Sequence, residues 1–160
     1  CRYFTYSTEF IIWARKLAKV PHCYNYDVMK QINNSKQMRD VWHLPAIAQW
    51  EKSCGKHPTQ KPLSVLSRIV LASTDSGAWV LAPFTGSRTT GIAANLLGRR
   101  FLGIDKEEEF LILSQSRKKE IEHLSTFSLF RNKIKDIALL DNMGLLPAQE
   151  DFACGYDLPF

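Results

Sequence analysis

The most constraining feature of the sequence is an alternation of helical and strand patterns between Leu63 and Leu124. Each apolar strand-like run is short and is followed by an amphipathic or apolar helical segment. The predicted elements are a helix from Leu63 to Ser73, a strand from Ala78 to Pro83, a helix from Thr89 to Leu97 with Gly98 at its C-terminal cap, a strand from Phe101 to Asp105 and a helix from Lys106 onward. This order predicts a parallel sheet covered by helices, the doubly wound α/β class.

The segments on either side of this alternation carry weaker patterns. The run TEFIIWA, from Thr8 to Ala14, is short, apolar and aromatic, and it predicts a buried strand. Between Val20 and Gly55 the chain is rich in Asn, Tyr, Lys, Gln and Trp, which predicts a short helix among ordered loops. Beyond about Ser125 the pattern fades, and the tail from Leu139 to Phe160 supports only turns and one short helix.

Composition narrows the function classes. The net charge of +5 suits a polyanionic partner, because neutralising phosphates releases counterions. No apolar run approaches the roughly 20 residues that span a bilayer, so no membrane association is expected. The four cysteines, at positions 1, 23, 54 and 154, have neither paired metal-ligand spacing nor the density of a disulfide scaffold. We therefore expect no metal site and a cytoplasmic protein.

A candidate ligand site follows from the predicted sheet. A loop between a parallel strand and a helix lies at the carboxyl edge of the sheet, where backbone amides face a ligand. An acidic residue after the next strand, about 20 residues on, accepts hydrogen bonds from ribose hydroxyls, and Asp105 stands at this spacing from Gly86. A tight turn at Gly86 and a helix cap at Asp105 are the open alternatives. The loop lacks the phosphate-loop lysine and the three-glycine fingerprint, which favours S-adenosylmethionine over ATP and NAD.

Two motifs carry a resemblance to a known family. KHPTQKP and, further along, PFTGSRTTGIAANLLGRRFLGID resemble the cofactor motifs of the beta-class DNA adenine-N6 and cytosine-N4 methyltransferases. In that family the catalytic Asp-Pro-Pro-Tyr strand comes first, the target-recognition region next and the cofactor motifs last. The resemblance covers roughly Phe4 to Lys119. It implies a partial, Rossmann-like methyltransferase sheet and an enzyme that transfers methyl from S-adenosylmethionine to a base amino group of double-stranded DNA.

The resemblance also assigns residues to the cofactor. The KHPTQKP motif packs beside the methionine part, the glycine-containing loop lies beneath the cofactor, and an acidic residue holds the ribose. The implied cofactor-binding residues are His57, Pro58, Thr59, Gln60, Lys61, Phe84, Gly86, Ser87, Thr89, Thr90 and Asp105.

The upstream segment carries a further resemblance. FTYSTEFIIWARK and YNYDVMKQINNSKQMRDVWHLP resemble the adenine-N6 enzymes that modify GANTC-like sites. Polar side chains in this segment suit contacts with phosphates or base edges. The candidate DNA-binding residues are Lys30, Lys36, Gln37 and Arg39. A solvated polar loop with aromatic anchors is the open alternative.

The catalytic motif is the part of the family pattern that this sequence does not contain. No Asp-Pro-Pro-Tyr or Asn-Pro-Pro-Tyr tetrapeptide occurs in the 160 residues, so no catalytic residue is assigned and the predicted sheet lacks the strand that bears the motif. We therefore expect a truncated C-terminal portion of an adenine-N6 enzyme that is inactive alone. Its expected partners are DNA and a separate N-terminal half, with a restriction endonuclease as genomic neighbour. The alternative is a non-catalytic DNA-binding or interaction fragment.

On this interpretation the chain has four parts. Residues 1–19 end the catalytic subdomain, 20–55 form a region like a target-recognition segment, 56–124 form the cofactor-binding subdomain, and 125–160 are a tail without a defined pattern.

Two departures from the family pattern fall in or beside the cofactor loop. Ala82 stands where the family has Asp, which removes a carboxylate near the cationic methionine end. Arg88 stands where the family has a second Gly, which places a bulky cation where the backbone approaches the ligand. A positive φ at Arg88 would add strain of roughly 1–2 kcal/mol. These departures predict a weakened affinity for S-adenosylmethionine.

Overall fold

A two-stranded parallel sheet positions the candidate site. The computed structural model describes residues 7–55 and 57–148, so Lys56 and the last 12 residues of the predicted tail lie outside the described residues. Strands β1 (Trp79–Ala82) and β2 (Arg100–Gly103) pair in parallel, with Ala82 opposite Gly103. Within the described residues the helices are α1 (Tyr26–Gln31), α2 (Leu63–Ser73), α3 (Thr89–Leu96), α4 (Glu108–Glu122), α5 (Leu124–Lys133) and α6 (Lys135–Asn142), with a 3₁₀ helix at Gln49–Lys52.

Helix α3 is the centre of the core. It forms the crossover from β1 to β2, and it contacts both strands as well as α2, α4 and α5. Its buried apolar residues are Ile92, Ala93, Ala94 and Leu96. A fully buried Leu or Ile side chain contributes about 1.5–3 kcal/mol to stability, so this helix fixes the sheet and the loop that precedes it.

The recognition-like segment is tied to this core through α2. Asn25 donates from Nδ2 to the carbonyl oxygens of Leu71 and Thr74, both at 2.8 Å. Because these carbonyls end α2 without helical partners, Asn25 satisfies acceptors that would otherwise be open. The start of α1 is thereby fixed against the end of α2.

The strongly patterned elements agree with their prediction to within a few residues. Helix α2, strands β1 and β2, and helices α3 and α4 all form where helical or strand patterning predicts them. Gly98 has a φ of +77° and follows Leu97, which is the residue that caps α3. The short helix expected between Val20 and Gly55 is α1.

The predicted strand from Thr8 to Ala14 is wrong. The segment is irregular, and the side chains of Phe10 and Ile12 are 96% and 90% exposed. A strand requires hydrogen-bonding neighbours, and no described residue pairs with this segment. Its apolar composition alone therefore does not make it a strand.

The segment after Ser125, for which the sequence shows a fading pattern, is largely helical up to Asn142. Helices α5 and α6 both form and bury Phe127, Phe130, Ile137 and Leu140. His123 and Ile134 are extended, with ψ values of 124° and 107°, and they separate α4, α5 and α6. These two breaks shift the helical phase, which is why a single periodic pattern is not visible in the sequence.

One face of the sheet is open among the described residues. Phe101 packs against Gly91 of α3, so the side chains that alternate with it point to the opposite face. That face carries four exposed apolar side chains, Trp79 at 50%, Leu81 at 59%, Leu102 at 40% and Ile104 at 53%. We call these four residues the open sheet face. Within the described ranges, no helix has the length and apolar character needed to cross a membrane.

Candidate cofactor site

Three predicted site residues meet at the carboxyl end of the sheet. The backbone N–H of Gly86, in the loop after β1, donates to Oδ2 of Asp105, just after β2, at 2.8 Å. His57 lies on another side of Gly86, because a Cβ added to Gly86 would come within 3.0 Å of His57 Nε2. We call His57, Gly86 and Asp105 the loop cradle. Residues that are distant in sequence thus form one small surface at the sheet edge.

Gly86 is constrained in two ways. Its φ is +49°, a left-handed conformation that glycine adopts without the penalty that other residues pay. A side chain at this position would also press on the His57 ring, because an added Cβ would lie 3.0 Å from Nε2. The loop geometry and the packing of His57 therefore both depend on glycine at this position.

The Asp105 carboxylate joins the loop after β1 to the segment that precedes α4. Besides Gly86, its carboxylate accepts a hydrogen bond from the backbone N–H of Glu107 at 3.2 Å, near the start of α4. The N–H groups of Gly86 and Glu107, in that order, hold the pKa of Asp105 below its usual value. The carboxylate is therefore ionised at neutral pH. Because each carboxylate oxygen has two lone pairs, Asp105 can still accept further hydrogen bonds.

The imidazole of His57 is oriented by its neighbours. Its Nδ1 faces the backbone N–H of Thr59 at 3.3 Å, and its ring packs edge-on against Phe110, with ring centroids 4.4 Å apart. The other ring nitrogen, Nε2, faces the Gly86 side of the cradle.

Two further residues of the KHPTQKP motif, Gln60 and Lys61, contact other parts of the protein. Gln60 is buried, and its Nε2 donates to the carbonyl oxygen of Glu51 at 2.9 Å. Lys61 is exposed and forms an ion pair with Glu9 at 2.8 Å. Pro58 and Thr59 are exposed and follow His57 directly. Of the predicted residues in this motif, His57, Pro58 and Thr59 are thus the ones that remain open to a ligand.

Glu51 is a structural residue that sequence reasoning missed. Its side chain is buried and accepts the backbone N–H of Leu63 at 2.8 Å and that of Ala48 at 3.0 Å. The first of these bonds satisfies an open donor at the start of α2. A lone Glu in a loop carries no sequence signal for this role.

Arg117 supports the cofactor loop from below. Its side chain is only 1% exposed, and Nη1 donates to the Ser87 carbonyl at 2.6 Å and to Thr89 Oγ1 at 2.9 Å. Ser87 Oγ and Thr89 Oγ1 also lie 3.0 Å apart, so both hydroxyls are engaged inside the protein. Thr90 follows in the first turn of α3 and is half-buried. Burial lowers the pKa of Arg117.

We expect Arg117→Met to loosen the loop. Methionine keeps the apolar stem but leaves the Ser87 carbonyl without its charged donor, and such a hydrogen bond contributes about 1.5–3 kcal/mol. The free energy of unfolding in urea should fall by about that amount, and affinity for the cofactor should fall with it. Lys119→Met, on the exposed side of the same helix, is the control. Equal stability and equal affinity in the two variants would contradict this role.

The side chain of Arg88 does not lie where the sequence predicts it. Its φ is +60°, so the strain predicted for a non-glycine residue is present. The side chain, however, packs on Gly91 of α3, and its guanidinium lies 4.9 Å over the ring centre of Phe101. This cation–π contact holds the arginine between the helix and the sheet. The expectation that its cation stands where the backbone approaches the ligand is therefore wrong.

The exposed end of the loop is apolar. Phe84 is 91% exposed, directly after the point where the loop leaves the sheet. Ala82 is buried, and its carbonyl accepts the N–H of Ile104 at 2.9 Å, while the N–H of Thr85 donates to Ile104 O at 2.8 Å. These two bonds fix the base of the loop to the end of β2 and leave Phe84 free at the surface.

Three of the four candidate DNA-binding residues share a groove away from the cradle. Lys36, Gln37 and Arg39 line a groove of about 1040 Å³. Lys30 lies on α1, where its Nζ is 5.4 Å from the ring centre of Tyr26, and it is not among the lining residues of this groove.

Comparison with known proteins identifies the family. A family model for DNA methylase matches residues 1–116, which include the whole loop cradle. This chain belongs to the N6/N4 DNA methylase family. The match ends before α5 and α6, so these helices lie outside the part that defines the family.

Several type II enzymes resemble this chain. Type II methyltransferase M2.MboI of Moraxella bovis is 60% identical over 121 residues, which are 76% of this chain and 44% of that protein. M2.DpnII of Streptococcus pneumoniae is 57% identical over 118 residues, with 73% and 44% covered. M.HinfI of Haemophilus influenzae is 38% identical over 119 residues, with 71% and 33% covered. The chain thus spans less than half the length of these relatives.

The fold has a solved counterpart. The M1.HpyAVI–SAM complex superposes with a TM-score of 0.50 and 32% sequence identity, over 62% of this chain and 45% of that one. The predicted α/β methyltransferase fold is thereby confirmed.

Proposed function

We propose that this chain is the C-terminal, S-adenosylmethionine-binding portion of a type II DNA methyltransferase that methylates the N6 amino group of adenine. The observation that carries the proposal is the loop cradle, in which His57, Gly86 and Asp105 meet at the carboxyl edge of the parallel sheet. Ligands of open α/β sheets bind at this edge. The relatives named type II methyltransferases, and the M1.HpyAVI–SAM complex, support the same cofactor.

The residues of the cradle fit this cofactor. Asp105 is ionised, and its unused lone pairs can accept hydrogen bonds from ribose hydroxyls. Glycine at position 86 lets the His57 ring pack directly on the loop, which keeps His57 and Asp105 on either side of it. Pro58 and Thr59 lie next to His57 and are open to the methionine end. When bound, S-adenosylmethionine supplies an electrophilic methyl group on a positively charged sulfur.

We infer that a separate N-terminal half holds the target base. The sequence contains no Asp-Pro-Pro-Tyr tetrapeptide, the family's motif for gripping the exocyclic amino group. The open sheet face is an apolar surface of the kind that packs against another polypeptide. The chain alone therefore holds the cofactor but does not transfer its methyl group.

DNA is the substrate that the charge distribution favours. The net charge is +5, and Lys36, Gln37 and Arg39 line one groove, with Lys30 on the neighbouring helix α1. These side chains can contact phosphates and base edges. Adenine in GANTC-like sites is the target that the upstream resemblance supports. A partner endonuclease encoded nearby and a cytoplasmic location complete the proposed restriction-modification role.

Photolabelling tests the cofactor site. Ultraviolet irradiation with tritiated S-adenosylmethionine should label the tryptic peptide from Ile69 to Arg88, which contains the exposed aromatic ring of Phe84. Unlabelled S-adenosylhomocysteine should compete, and ATP should not. Label spread over other peptides, or label that S-adenosylhomocysteine does not displace, would contradict the proposal.

A further inference from the structure

A groove on the recognition-like side of the molecule is lined by segments that are far apart in sequence. One wall is the chain after α1, with Lys36 and Arg39, and another is the junction of α5 and α6, with Lys133 and Lys135. All four side chains are exposed. We call these four residues and the space between them the basic groove. The two lysines of the helical junction come from the segment beyond residue 116, where the family match ends.

The buried carboxylates that line the groove already have hydrogen-bond partners inside the protein. They therefore do not pair with the exposed cations of the groove. Asp136 accepts two hydrogen bonds from Arg68, at 2.8 and 3.1 Å, and both side chains are nearly buried. Glu51 accepts two backbone N–H groups and is buried. Asp40 is the one exposed carboxylate among the lining residues. Four exposed cations therefore face one exposed anion.

Two tryptophan rings contact cationic side chains that line the groove. Lys133 Nζ lies 5.1 Å from the ring centre of Trp50, and the guanidinium of Arg68 lies 5.2 Å from that of Trp42. Both tryptophans line the groove and are partly buried. Cation–π contacts of this kind restrict a long side chain while leaving its charge available to an anion. Lys133 is thus held in place before any ligand binds.

We propose that Lys133 and Lys135 bind phosphates of the DNA substrate, as a second row of contacts across the groove from Lys36 and Arg39. This proposal rests on the proposed function, because it takes DNA as the polyanion that enters the groove. Lysine acts as a point charge on phosphate and does not read base edges. The α5–α6 junction therefore adds affinity and orientation for DNA but no sequence preference.

Salt-dependent binding tests the proposal. A fluorescein-labelled duplex is titrated with the full chain and followed by fluorescence anisotropy between about 50 and 200 mM salt. Lys133→Gln/Lys135→Gln keeps the aliphatic stems and removes both charges. Each phosphate contact contributes about 0.9 to the slope of log affinity against log salt, so the slope should become shallower by about 2. The loss of affinity relative to the unmodified chain should therefore be about tenfold larger at 50 mM than at 200 mM salt.

Matched variants separate this proposal from the proposed function. Lys118→Gln/Lys119→Gln removes two charges from α4, outside the lining of the groove, and should leave the slope unchanged. Lys36→Gln/Arg39→Gln tests the other wall and should make the slope shallower. A slope that changes with Lys36 and Arg39 but not with Lys133 and Lys135 overturns the α5–α6 proposal and leaves DNA binding intact. Absence of DNA binding by the unmodified chain overturns both proposals. An equal loss in the α4 control overturns the α5–α6 proposal alone, because the effect would then be one of total charge.

Discussion

Gly86→Val abolishes detectable binding of S-adenosylmethionine to this chain. The backbone at Gly86 has a φ of +49°, which a β-branched residue adopts only with strain of about 1–2 kcal/mol or more. The new Cβ would also lie 3.0 Å from His57 Nε2, and the valine methyl groups would extend into the cradle. The strain lowers the stability of the chain, whereas the contact with His57 and the methyl groups in the cradle oppose the cofactor directly. Since each 1.4 kcal/mol is a factor of ten in affinity, we expect these contacts to weaken binding by well over tenfold.

Gly77→Val is the matched control for this substitution. Gly77 also has a positive φ, +75°, but a Cβ at that position meets no heavy atom within 4 Å. The control carries the same kind of backbone strain at a position remote from the cradle. It should lower the melting temperature of the chain and leave the affinity for S-adenosylmethionine unchanged. If both valine variants lose binding equally, general destabilisation is responsible and the cradle has no special role.

Co-expression with an N-terminal half that carries Asp-Pro-Pro-Tyr converts an inactive chain into an active methyltransferase. The added half covers the open sheet face and supplies the groups that hold the target amino group near the methyl donor. The purified complex should sediment as one species and incorporate tritium from labelled S-adenosylmethionine into duplex DNA. Nucleoside analysis of the product should give N6-methyladenine, and sequencing should place it in GANTC-like sites.

Two controls make the complementation experiment specific. Replacing the motif aspartate of the added half by alanine should abolish transfer without dissociating the complex. Leu81→Lys/Leu102→Lys, on the open sheet face, should weaken the complex, because two charges would be buried in an apolar contact. Methyl transfer by the isolated chain, or an unchanged complex with the lysine variant, would contradict the assignment of this face.

The wild-type loop should suffice for this activity, and Ala82→Asp/Arg88→Gly should improve it modestly. Arg88→Gly relieves the strain of a φ of +60° but removes the contact with Phe101, and these effects are similar in size. The gain therefore depends mainly on Ala82→Asp, whose carboxylate would compensate the cationic methionine end.

The sequence predicted the parts of the fold that have a clear period, and it failed where tertiary contacts decide. Helix α2, strand β1 and helix α3 have strong patterns and form as expected. The segment from Thr8 to Ala14 has the composition of a strand but no described pairing neighbour. The composition of a segment indicates its tendency to be buried. Whether it forms a strand depends on a neighbouring strand with which its backbone can form hydrogen bonds.

The candidate site also has some features that the sequence predicted and others that depend on tertiary contacts. Spacing linked Gly86 to Asp105, the family resemblance added His57, and the structure places the three together. The direction of the Arg88 side chain was not predictable, because it depends on the ring of Phe101 across the helix–sheet contact. Nor was the support from Arg117, which stands in a basic run that is typical of the solvent-exposed end of a helix.

Titration calorimetry of S-adenosylmethionine with the wild-type chain and Asp105→Ala tests the central claim most directly. Alanine removes the acceptor that fixes Gly86 and the lone pairs left for the ribose. Glu107→Ala, which removes a carboxylate two positions away but keeps its backbone N–H, is the control. We predict saturable binding with one cofactor per chain in the wild type and the control, and no binding in Asp105→Ala. No binding by the wild type, or equal affinity in all three proteins, would show that the loop cradle is not the cofactor site.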